Sequence, residues 1–189
     1  MMQKKELWET ILSPTLCLLI LCAIVALAVS AAYALTADRI AEQRDLALSR
    51  SMGRLIAAEQ YELLFEEEGS TIYAAIAEHG GIEGHLILAS AFGYSGDVVV
   101  LTAIADGLVL AVEIIDASGE TPGLGQNIMS EAFTQQFQNL AASPTLVRTV
   151  PAEPGEIQAL TGATISAEAV VRAVALAMEL YDIHIGQEG

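Results

Sequence analysis

The chain has 189 residues, 24 Asp+Glu against 8 Lys+Arg, a formal net charge of −16 and 53% hydrophobic residues. That length accommodates one domain of ordinary size with an appendage. The charge excludes a nucleic-acid binder, because phosphate contacts require a basic face. Acidity and apolarity are rarely high together, so they belong to different stretches. Residues 1–54 hold six bases (Lys4, Lys5, Arg39, Arg44, Arg50, Arg54) and five acids, whereas residues 55–189 hold only Arg148 and Arg172 against all remaining acids.

Residues 1–10 carry Lys4, Lys5 and Trp8 and read as a short N-terminal flank. From Ile11 to Leu35 no residue is charged. As a helix this run is roughly 37 Å long, enough to cross a hydrocarbon core of about 30 Å. Trp8 and Tyr33 sit where interfacial aromatics are expected, and Pro14 falls in the first turn, where a missing N–H costs little. A cleaved signal peptide is the competing reading, but the apolar run exceeds the usual signal core. Orientation stays open: a count of flanking bases puts the C-terminal part in the cytoplasm, yet long domains translocate largely regardless of charge. Cys17 and Cys22 fall inside the span and point to different helix faces. Residues 36–189 contain no cysteine, which excludes a disulfide framework.

Residues 36–58 are good helix formers and continue as a helical stalk, leaving residues 59–189 as the extramembrane domain. Glu66–Glu68 before Gly69 reads as a helix end, and Thr71–His79 as a short helix. His79, His85 and His184 are scattered without ligand spacing and read as surface or loop histidines. His85–Phe92 reads as a strand and Gly93–Gly96 as a turn. Asp97–Ala105 and Leu108–Ile115 are apolar runs separated by Asp106-Gly107, a strong hairpin signal. A glycine-rich loop runs from Ala117 to Gly125. Apolar residues at Ile128, Met129, Ala132, Phe133, Phe137 and Leu140 follow a helical period. Thr145–Val150 is strand-like, Pro151–Glu156 a loop and Ile157–Leu160 extended. The fold class is therefore α+β, with an antiparallel sheet and packed helices after one membrane helix.

Thr161-Gly162-Ala163-Thr164-Ile165-Ser166 then leads into a helix over Ala167–Tyr181, with an apolar stripe at Val170, Val174, Ala177, Met178 and Tyr181. Ser166 reads as its N-cap and Glu168 suits the first turn. A small-residue turn entering a helix presents unpaired N–H groups, an anion site that needs no Lys or Arg. Spacing alone favours ordinary capping and turn chemistry over anion binding. Arg172 could reach such an anion or pair with Glu168 at i, i+4; the pairing is favoured.

Leu160–Ser166 resembles the flavinylation motif of the FMN-binding domain shared by RnfG, of the Rnf electron-transport complex, and NqrC, of the sodium-pumping NADH:quinone reductase. Gly119-Glu120-Thr121-Pro122-Gly123-Leu124-Gly125 resembles that family's second signature, and Gly93–Asp97 and the single anchor match in order. The length of the chain favours the Rnf member. The resemblance implies FMN bound covalently by a phosphoester to Thr164, with Thr161, Gly162, Ala163 and Ile165 around it and Glu120, Thr121, Gly123 and Leu124 lining the flavin. A threonine hydroxyl is a weak nucleophile without an adjacent base, so a separate flavin transferase using FAD is implied. One departure is Gln158, where family motifs commonly carry an acid; Glu156 is nearby. An acidic surround would disfavour anionic flavin.

The resemblance further implies an extracytoplasmic domain on the cytoplasmic membrane with its N-terminus inside. The chain would relay single electrons within a complex that couples ferredoxin and NAD⁺ redox chemistry to ion pumping. Its partners would be the other Rnf subunits, the transferase and membrane lipid. Two alternatives remain: the quinone-reductase member of the family, and an anchored non-redox module whose acidic face docks a basic partner.

Overall fold

The computed structural model describes residues 12–67, 69–151 and 153–186. The N-terminal flank with Lys4, Lys5 and Trp8, and also Glu68, lie outside these. The chain divides into two compact units, the first ending at Leu46 and the second starting at Ala47.

Helix α1, Ser13–Leu55, runs through the division. In the first unit, Ser13–Ala37 is a 25-residue stretch of mean hydropathy 2.7 with no buried residue, long and apolar enough to cross a membrane. A helix satisfies its backbone groups internally, which lipid demands. Cys17 and Cys22 are exposed free thiols.

The second unit is built on an antiparallel meander of β1 (Gln60–Glu67), β2 (Ser70–Ile76), β3 (Ile82–Phe92), β4 (Asp97–Ala105) and β5 (Leu108–Asp116), ordered in space as in sequence. Asp106 and Gly107 both adopt positive φ, 52° and 73°, as the tight β4–β5 turn requires. After the sheet come a 3₁₀ turn (Gly125–Met129), the short helix α2 (Glu131–Thr134) and a second 3₁₀ turn (Gln135–Phe137). The small parallel pair β6 (Thr145–Val147) and β7 (Glu156–Gln158) then precedes helix α3, Thr164–His184. The α+β class stands.

Both faces of the sheet are covered, each by a different part of the sequence. Alternate residues of β2–β5, among them Ile72, Ile87, Val98, Val100 and Val109, form one core with Phe133, Phe137 and the α3 residues Ala167, Val170, Val174 and Ala177. Leu86, Leu101 and Ala103 face the other way and pack with Ala75, with Met52 in the last turn of α1 and with Ile56 just after it. The last turns of the expected stalk therefore belong to the domain's core. Their polar edge is fastened too: Arg54 pairs with Glu113 of β5, which also accepts the Ser51 hydroxyl at 3.0 Å. Register shifts in β5 against β4 let Val109 and Val112 share one core although three residues apart.

Several local expectations are corrected. Thr71–His79 is not a helix: Ser70–Ile76 is β2, between β1 and β3. Its Tyr-Ala-Ala-Ile run has helical propensity, but a strand covered on both faces gains from small side chains that admit close packing. Glu66 and Glu67 end strand β1 rather than a helix. The periodic stretch Ile128–Leu140 buries Ile128, Phe133, Phe137 and Leu140 but leaves Met129 and Ala132 exposed, and it folds as broken short turns. Ser130 (ψ 141°) and Gln138 (ψ 141°) are extended, and Asn139 has φ 62°. The Asn139 N–H then donates to Val109 O at 2.8 Å, docking the segment on the β5 edge.

His85 is likewise not a surface or loop histidine. It is 8% exposed in β3, with its ring edge-on to Tyr181 of α3 at 5.6 Å. His184 lies against Phe65 at 4.1 Å. Burial lowers the His85 pKa below the ordinary 6.5.

This packing has measurable consequences. Met52→Ala, at a site 5% exposed, should cost about 2–5 kcal/mol, whereas Leu46→Ala, 49% exposed, should cost little; denaturant unfolding in detergent distinguishes them. For His85, the unfolded chain takes up its proton near pH 6.5 and the folded chain only lower. Stability should therefore be flat above that pH and fall as the pH drops through 6.5 towards the folded value. His85→Phe should flatten that part of the melting-temperature profile.

Candidate functional site

The three glycine-containing motifs meet in space. A cleft of about 500 Å³ is lined by Tyr94 from the β3–β4 turn, Thr121, Leu124 and Gly125 from the loop after β5, and Gly162 through Ser166 at the start of α3. Its size falls within the usual range of small-molecule sites, about 300–1,000 Å³.

The entrance to α3 explains what this cleft can hold. Gly162 has φ 79°, a conformation that suits glycine alone among the neighbouring residues. Ala163 is the N-cap, without a side-chain hydrogen bond. Ser166, expected as the cap, lies one turn inside the helix. The Ala163 N–H donates to Leu160 O and the Ala167 N–H to Ala163 O, which leaves the amides of Thr164, Ile165 and Ser166 as the open donors of the first turn. No Lys or Arg lines the cleft among the described residues. Arg172 donates to Phe92 O at 2.7 Å and lies 3.6 Å from Glu168, so the favoured pairing is present, with a tie to the end of β3 beside it.

The hydroxyls of the motif are not equivalent. Thr161 is exposed, Thr164 is half-buried on the cleft and Ser166 is 3% exposed. The Ser166 hydroxyl donates to Glu120 Oε2. Glu120 Oε1 accepts the Tyr94 N–H at 2.8 Å, so one carboxylate joins all three motifs.

Glu120, which the resemblance has lining the flavin, is not among the residues lining the cleft: it is 2% exposed. Two glycines make room for it. A Cβ on Gly93 would overlap Glu120 Oε1, and one on Gly125 would lie 2.8 Å from Oε2 and 2.9 Å from Ser166 Oγ.

Of the residues singled out in the sequence, Thr121, Leu124, Gly162, Ala163, Thr164 and Ile165 come together at the cleft, while Thr161 and Gly123 are not among its lining residues. Tyr94, Gly125 and Ser166 line it in addition. All three stand within the quoted motifs, and that is the only sequence signal for them. A second cleft of about 560 Å³, beside Arg50, Arg54 and Glu113, contains no motif residue.

The FMN-binding domain family matches residues 93–179, and the RnfG N-terminal region matches residues 1–55. The G subunit of an ion-translocating oxidoreductase complex from Aliivibrio fischeri is 30% identical over 82% of this chain and 83% of its own. The chain belongs to the RnfG family. Another relative of this Rnf protein is the G subunit of the proton-translocating ferredoxin:NAD(+) oxidoreductase complex of Clostridium ljungdahlii, 28% identical over 94% of this chain and 95% of its own. The Na(+)-translocating counterpart from Acetobacterium woodii is 42% identical over 47% of this chain and 44% of its own. Among solved structures, NqrC from Shewanella oneidensis shares the fold, with a TM-score of 0.52 and 14% identity over 68% of this chain and 69% of that one. This RnfG family member thus carries an FMN-binding domain behind an N-terminal apolar helix.

The enclosure of Glu120 can be tested by filling it. Gly125→Ala in this RnfG chain should destabilise the domain by about 1–3 kcal/mol through overpacking, and Gly93→Ala by more. Gly80→Ala, where a Cβ meets nothing within 4 Å, should cost only the strain of its positive φ. Thermal melts of the three variants compare them directly.

Proposed function

We propose that this protein relays single electrons through FMN esterified to Thr164, within a membrane complex that couples ferredoxin and NAD⁺ redox chemistry to ion translocation. Its family supports the complex, and the first turn of α3 supports the attachment. The observation that carries the reading is the half-buried Thr164 hydroxyl beside three open helix amides in a cleft without a basic side chain. Such amides stabilise an anion at a helix N-terminus. A phosphodiester there has its remaining charge held by backbone and its position fixed by a covalent bond, so no lysine or arginine is needed.

Thr164 suits the attachment better than its neighbours. Thr161 is not among the residues lining the cleft, and Ser166 is buried with its hydroxyl donating a hydrogen bond to Glu120. Attachment requires a flavin transferase and FAD. The Thr164 oxygen forms a bond to the FMN-side phosphorus, the pyrophosphate P–O bond breaks, AMP leaves and the hydroxyl proton passes to a base on the transferase. Bound FMN supplies one- and two-electron chemistry at its ring. Tyr94, Thr121, Leu124 and Ile165 are the side chains around it, with Gly123 and Thr161 next to lining residues in the sequence. The N-terminus lies in the cytoplasm and the domain outside the membrane. The other proteins of the complex supply donor and acceptor cofactors.

Co-expression with the transferase, followed by a denaturing gel under ultraviolet light, tests the attachment. Wild type should fluoresce, Thr161→Val should fluoresce equally, and Thr164→Val should be dark. A dark wild-type band or a bright Thr164→Val band would falsify it.

A further inference from the structure

The family motifs mark Glu120 as a flavin-lining residue, but its burial gives it a different place. We infer that Glu120 is the positioning residue of the attachment turn. By accepting the Ser166 hydroxyl and the Tyr94 amide at once, it sets the first turn of α3 so that Thr164 meets the incoming flavin donor. This rests on the attachment at Thr164 proposed above.

No side chain caps α3, and Gly162 and Ala163 before it carry no polar side chain that could do so. The terminal turn of an uncapped helix frays unless something else holds it. Ser166 is the residue of that turn with a side chain turned inward, and its partner is the Glu120 carboxylate. Glu120 is itself fixed from the opposite side by the Tyr94 N–H at 2.8 Å, and its carboxylate occupies the space that Cβ atoms on Gly93 and Gly125 would fill. Position passes from the end of the sheet through Tyr94 and Glu120 to Ser166, two residues from the acceptor oxygen.

The same bond keeps the proximal hydroxyls distinct. The Ser166 hydroxyl donates a hydrogen bond to a buried carboxylate, leaving Thr164 as the accessible acceptor of the turn. A carboxylate close to an anion site also costs electrostatic energy. Its two hydrogen bonds there serve a geometric task that a smaller apolar residue cannot perform.

Glutamine separates shape from charge. Its carbonyl can accept from Tyr94 while its amide donates to Ser166 Oγ, so Glu120→Gln preserves the linkage without the charge. The experiment uses full-length apo protein in detergent, purified flavin transferase and FAD. The initial rate of fluorescent labelling is read on denaturing gels, with the melting temperature of each variant measured alongside. Glu120→Ala and Ser166→Ala should each slow labelling at least about ten-fold, since small misplacement of a reacting group carries that order of loss. Glu120→Gln should stay within about three-fold of wild type, because the geometry on which the rate depends is kept.

Wild-type labelling rates in either folded alanine variant would overturn the proposal, and so would a loss in Glu120→Gln equal to that in Glu120→Ala. If Glu120→Ala does not fold, Ser166→Ala, which removes one oxygen atom, decides alone. Failure of the underlying reading is recognised separately, as no label on wild type or persistent label on Thr164→Val.

Discussion

One buried carboxylate organises the functional end of this domain. Glu120 accepts hydrogen bonds from the Tyr94 backbone, 26 residues before it, and from the Ser166 side chain, 46 residues after it. Desolvating a carboxylate is costly unless its oxygens are satisfied, and those two bonds meet that requirement only when three distant segments are all in place. The requirement runs in both directions. Each segment is short and glycine-rich, with little apolar surface to hold it, and the shared carboxylate is what each has in common with the others.

Two covers on one sheet provide the frame for that arrangement. Alanines at 167, 169, 173 and 177 let α3 lie close over β3 and β4, which brings its N-terminus to the edge where the β3–β4 turn emerges. Arg172, donating to Phe92 O at 2.7 Å, fixes the helix to the strand two residues before Tyr94. On the opposite face Met52 and Ile56 close the second core. The end of α1 is thus a structural member of the domain, and the helix changes from lipid-compatible to core-forming within one continuous element.

Much of this is legible in the chain itself, for identifiable reasons. Asp106-Gly107 announces its hairpin because positive φ at both positions is a local demand. The apolar stripe of α3 does so because burial on one face has a fixed period. β2 is not legible, since Tyr73, Ala74 and Ala75 owe their strand to neighbours on both sides rather than to propensity. His85 misleads for a related reason: a polar residue looks solvated until its long-range partners are known. Thr164 stands out through its motif, whereas Tyr94, Gly125 and the bond between Ser166 and Glu120 emerge only when the segments are folded together.

The outer strand of the sheet gives the chain's acidity a meaning. β1 is an edge strand, bulged near Leu64, and it exposes Leu63 and Leu64 at 50% and 45%. Such an edge is a template for another strand. It also carries Glu62, Glu66 and Glu67, so a second copy approaching edge to edge would bring like charges into register. For a protein confined to a membrane plane, where copies meet repeatedly in two dimensions, this edge charge discourages sheet-to-sheet self-association. Three glutamates of β1 thus have a local use at the sheet's edge, independent of anything the cleft binds.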